Sequence, residues 1–126
     1  MDEQDGIRWL HRRAGLGLAP GAVDRPGGTG ASAALDALVR APRTDPDPWD
    51  SVDLDPDRGG RRNAIVAWIR HLLTAQDTFA ARRTWMLHGW LVSSLQKVTV
   101  PQLMADQIRL LDRLGGGPYP ELLRAV

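Results

Sequence analysis

Cysteine is absent from the 126 residues, which excludes disulfides, thiolate metal sites and cysteine nucleophiles together and leaves the redox compartment unread. Lys97 is the sole lysine among sixteen basic residues. Those sixteen face fifteen acidic residues for a net charge of +1, too weak a field to draw in nucleic acid or anionic lipid, so neither partner is expected. No run approaches the roughly 20 apolar residues of a membrane span. The opening MDEQDGIRWLHRR has acids where a signal peptide has basic residues and an apolar stretch, which implies a cytoplasmic location for the sequence as given. No segment alternates as a strand does, and no repeat of solenoid period appears.

What is present is helical punctuation. With 43% hydrophobic and 25% charged residues, the chain has the composition of a folded domain with one core. Ile7, Leu10, His11 and Ala14 recur at helical spacing after Asp5 as N-cap and before Gly15 and Gly17. Ala19-Pro20 opens one short turn over Gly21 to Arg25, Pro26-Gly27-Gly28 breaks it, and Thr29 caps a helix through Val39 that must end before Pro42. Residues 42 to 60 carry four prolines and six aspartates around Trp49 and Leu54, which predicts one long irregular loop with Trp49 as its anchor.

The remainder reads as three long helices and a short one. Arg61 to Ala75 places Ile65, Trp68, Ile69, Leu72 and Leu73 on one face, and Asp77 or Thr78 caps a second helix through Ser94 that pairs with the first as a hairpin. Thr99-Val100-Pro101-Gln102 has the form of a capping box before Leu103, Met104, Ile108, Leu111 and Leu114. Gly115-Gly116-Gly117 ends that helix, and Pro120 to Val126 begins another that leaves Leu122, Leu123 and Val126 to be covered. The fold class is therefore all-α: an irregular helical bundle with short helices in 1–41, an Asp/Pro-rich loop in 42–60 and a helical core in 61–126.

Two segments, HRRAGLGLAPGAVD and the stretch from Arg82 to Val126, carry a resemblance. Arg12, Arg13, Ala14, Gly15, Gly17 and Pro20 fit one pattern; His88, Ser94, Lys97, Val98, Leu103, Met104, Gln107, Gly117, Leu122 and Leu123 fit the other. Together they resemble the opening part of the bacterial domain-of-unknown-function family numbered 1800. The resemblance implies that the chain is the N-terminal part of a larger helical domain, since the family's later N-E-N-x-A-R-E-L-type motif is missing, and it leaves export open. It implies a fold and carries no activity with it. Leu87, Trp90, Ile108 and Asp112 stand where the family has Trp, His, Asn and Arg, so any polar site built there is altered.

Candidate chemistry is sparse. Asp53, Asp55 and Asp57 occupy positions 1, 3 and 5 of a calcium-loop pattern, but Arg58 stands where the turn needs Gly and Ala64 where the bidentate Glu belongs, so a solvated acidic loop is expected. His11, His71 and His88 never pair at i, i+3 or i+4, and no metal site follows. His88 shares a face with Thr84, Leu87, Leu91 and Leu95, the setting of a neutral, hydrogen-bonded core histidine. Gly15-Leu16-Gly17 and Gly27-Gly28-Thr29-Gly30 lack the strand, third glycine or Lys-Ser/Thr of nucleotide loops, so no cofactor is expected. The arginine pairs 12-13, 61-62 and 82-83 read as solvated faces, and Trp9, Trp68, Trp85 and Trp90 as core residues. The catalytic candidates that remain are His88, Arg13 and Gln107. The expected role is a structural or interaction segment that meets a protein partner or its own C-terminal remainder. The alternative is the first part of an enzyme domain whose active site needs residues beyond 126.

Overall fold

The computed structural model describes residues 2–17, 30–41, 44–91, 93–94 and 96–126. Within them the chain forms α1 (Glu3–Ala14), α2 (Ala31–Val39), α3 (Gly60–Thr74), α4 (Thr78–Trp90), α5 (Pro101–Leu114) and α6 (Tyr119–Ala125), with a 3-10 turn at Pro56–Arg58 and no strand. The all-helical expectation holds for these residues. The short turn expected over Gly21 to Arg25 and the Thr29 cap lie outside them.

Caps set most boundaries. Asp2, not Asp5, caps α1: its carboxylate accepts the Asp5 N–H at 2.7 Å. The glutamate and aspartate of the first turn then lie at the positive end of the helix and the basic residues at the other, which favours this register. Asp77 caps α4 by accepting the Ala80 N–H at 2.9 Å. The helix stops at Trp90, short of Ser94, because Ser94 starts a turn of its own: its carbonyl accepts from Lys97 and Val98 and its hydroxyl from Gln96, the competition that serine offers a helix end. No capping box forms at α5. Val100 is the N-cap without a side-chain bond and Pro101 fills the first turn, while Gln102 donates forward to Asp106 at 2.9 Å.

The core lies in two clusters on α5. Trp49, Ala64, Ala67, Ala105 and Ile108 make one, with Val52, Leu54 and Trp68 packed against it. Leu87, Leu111 and Leu122 make the other, joined by Leu91, Leu110 and Leu114. Leu122 thus docks the final helix, whereas Leu123 and Val126 stay about half exposed.

α3 keeps two residues of the expected inward face, with Trp68 packed against the core and Leu72 half-buried, but is rotated so that the other three point out. Its alanines face the core, and Ile65, Ile69 and Leu73 are 44%, 51% and 80% exposed. The reason is steric: Trp49 and Trp68 already fill the space under the helix, so only a methyl fits between α3 and Ala105 of α5. Gly60 obeys the same constraint, since a Cβ there would overlap the Leu54 carbonyl. Trp9, Trp85, Trp90 and Leu103, all expected inside, are likewise exposed.

Candidate functional site

Residues 44 to 59 are irregular apart from the 3-10 turn, and aspartates arrange them. Asp47 accepts the Trp49 N–H at 2.8 Å, and the Trp49 indole donates to the Ala64 carbonyl at 3.2 Å. Asp45 reaches across to the start of α4, where its carboxylate accepts the N–H groups of Gln76 and Asp77 at 2.9 Å. The loop is thereby fastened to both helices of the α3–α4 hairpin, and a cleft of about 310 Å³ remains between it and α5.

Four aspartates, two arginines, His71 and two tryptophans line that cleft. Asp47 meets Arg109 in a two-pronged pair, Nε to Oδ2 at 2.5 Å and Nη2 to Oδ1 at 3.3 Å. Burial works to raise the Asp47 pKa, but the bonds from Arg109 and the Trp49 N–H, with the charges of Arg109 and His71, outweigh it and hold it below the usual value. On Arg109 the hydrogen bond to Asp47 works against burial and, helped by Asp106, raises the guanidinium further. Arg109, Trp49, Trp68 and His71 form one stack: the guanidinium lies 5.7 Å from the Trp49 ring, the indoles are 5.7 Å apart, and Trp68 and His71 are 5.4 Å apart. Thr84, almost fully buried, donates to Asp112 at 3.1 Å.

Each cleft carboxylate therefore already serves the fold. Asp45 accepts the amides of Gln76 and Asp77 just before α4, Asp77 caps α4, Asp47 holds Arg109, and Asp112 anchors Thr84. Among the described residues no three His, Asp or Glu side chains are placed to hold a metal ion. In the Asp53–Asp57 loop, Arg58 lies between the carboxylates of Asp53 and Asp55 at 3.2 and 3.0 Å.

The sequence candidates lie on three different helices. Arg13 lies exposed on α1 with its guanidinium 5.9 Å from the Trp9 ring. Gln107 on α5 holds the chain after α4, through the Leu91 carbonyl at 3.4 Å and the Ser93 hydroxyl. His88 on α4 is half-buried, and burial lowers its pKa. It is not the hydrogen-bonded core histidine expected, because its Nδ1 is buried without a partner among the described residues. The cleft's own residues were carried in the sequence by Asp45-Pro-Asp-Pro-Trp49, in which alternating prolines leave each aspartate free to cap a nearby amide.

An all-helical domain whose polar cleft is committed to holding its own elements together is what these residues build. The chain belongs to the family described as "Protein of unknown function (DUF1800)", whose model matches residues 9–126. No curated protein and no solved structure matches it. Among the described residues no helix is long and apolar enough to cross a membrane.

Proposed function

We propose that this chain is an interaction segment that works against another polypeptide surface. What supports the reading is one observation: among the described residues more large apolar side chains stand exposed than are buried, with Ile65, Val66, Ile69 and Leu73 in succession along α3. Scattered exposed apolar residues are ordinary, but a contiguous stripe on one helix marks a docking surface. The alternative, an enzyme domain completed by residues beyond 126, has no equivalent support, because the cleft's carboxylates are already engaged in the fold.

The test is binding of an apolar fluorescent dye, measured beside an Ile69→Gln/Leu73→Gln variant. Both positions are at least half exposed, so helical content should be unchanged while dye binding falls several-fold. Equal dye binding by the two proteins, or none by either, overturns the reading.

A further inference from the structure

At about 3.6 residues per turn, Arg62, Ile65, Val66, Ile69, Arg70 and Leu73 fall on one side of α3, and Ala64, Ala67, Trp68 and His71 on the other. The observed burial follows this division: the first group is exposed throughout, and the second is buried or half-buried. The outward side is thus an aliphatic stripe with two cations, and α3 contains no acidic residue at all. Neither Arg62 nor Arg70 has an ion pair or side-chain hydrogen bond among the described residues. They stand eight residues apart, about 12 Å along the helix axis.

We infer that this face receives an acidic amphipathic helix, with aliphatic residues against Ile65, Val66, Ile69 and Leu73 and carboxylates opposite Arg62 and Arg70. The inference rests on the interaction reading above and names the chemistry of the partner. Burial of the stripe supplies the attraction, while the exposed arginines add little affinity and set the choice of partner and its orientation.

Charge separates this occupant from two others. In a symmetric dimer through this face, antiparallel α3 helices crossing near Val66 would set Arg62 of each copy opposite Arg70 of the other, with no acid on either helix to relieve them. A flat anionic bilayer is held by a broad cationic field, which a net charge of +1 with two arginines on this face does not supply.

The experiment titrates the full chain with a designed amphipathic leucine-rich helical peptide carrying glutamates about eight residues apart, and with the same peptide carrying lysines. The acidic peptide should bind at least ~10-fold tighter, less so in high salt. An Arg62→Glu/Arg70→Glu variant should reverse the preference, and circular dichroism confirms that it keeps its helices. Equal binding of the two peptides overturns the inference. So does a dimer in sedimentation that excludes both, or binding to phosphatidylglycerol vesicles in preference to the acidic peptide. If neither peptide binds while the dye test on Ile69 and Leu73 succeeds, only the partner chemistry fails; if the dye test also fails, the interaction reading goes with it.

Discussion

Trp49 holds the aspartate-rich loop through burial to 4% exposure, an indole hydrogen bond to Ala64 and a stack on Trp68. These contributions separate by substitution. Trp49→Phe keeps a ring and loses the bond, for ~1 kcal/mol, whereas Trp49→Ala empties the cluster, for ~3–5 kcal/mol. Denaturant melts measure both, and a cost under ~1 kcal/mol for the alanine variant would mean that Trp49 is not the anchor. The position was legible in the sequence because a lone indole among prolines and aspartates has nowhere to go but inward. His88 was not, since helical spacing places a histidine on a face without revealing which atoms it meets. Burial holds the folded His88 pKa below 6.5, so an unfolded chain takes up a proton that the folded one refuses. Stability is therefore full above roughly pH 6.5 and declines below it. Asp47, with its folded pKa below 3.8, adds stability that is present above that value and is lost as pH falls through the folded pKa. Unfolding followed across pH should show the first decline weakened in His88→Gln and the second in Asp47→Asn. A stability that rises from pH 7 to 5 contradicts this assignment.

Among the elements, some helix ends were legible in the sequence where the inward face of α3 was not. Asp77, Pro101 and Gly115 mark the boundaries they were expected to mark, because capping is a local matter of one side chain and a few amides. Which side of α3 faces inward is settled by residues far away in sequence. Trp49 and Ala105 leave room only for Ala64 and Ala67, a fact of packing that periodicity does not contain. The three glycines after α5 show the same division. Their sequence marks a stop without ranking them, but a Cβ at Gly115 would overlap the Leu111 carbonyl oxygen and the Leu87 Cδ1, whereas one at Gly117 would meet the Leu114 carbonyl oxygen at 3.4 Å. Gly115→Ala should cost ~1–3 kcal/mol by forcing α5 and α4 apart, and Gly117→Ala should stay within ~0.5 kcal/mol. Equal losses at the two positions in thermal or denaturant melts would show that the close approach of α4 is unimportant.

At the scale of the molecule, stability is unevenly placed, since both clusters share α5 and little of the core reaches the N-terminal helices. Ala105, Ile108, Met104 and Leu111 of α5 are all at most 6% exposed, and α4 faces them with Ala80, Ala81, Thr84 and Leu87. By contrast, α1 has no buried residue and α2 only Leu38. The described links from the end of α1 to the rest are narrow: an Arg82 bond to the Gly15 carbonyl at 3.3 Å, and the close fit of Gly15 against Thr78. Local opening needs only the loss of the contacts that a segment makes, so its free energy scales with the apolar surface that the segment buries. Native-state hydrogen exchange should therefore find its slowest amides in α5 and the facing turns of α4, opening only with global unfolding. The amides of α1 and α2 should exchange at least ~100-fold faster, through partial openings that leave α3 to α6 intact. A mild denaturant should raise exchange in α5 steeply and in α1 hardly at all, because the first exposes both clusters and the second almost nothing. Protection of α1 equal to that of α5 would mean that the N-terminal pair belongs to the same cooperative unit, although Leu38 is the one side chain its two helices bury.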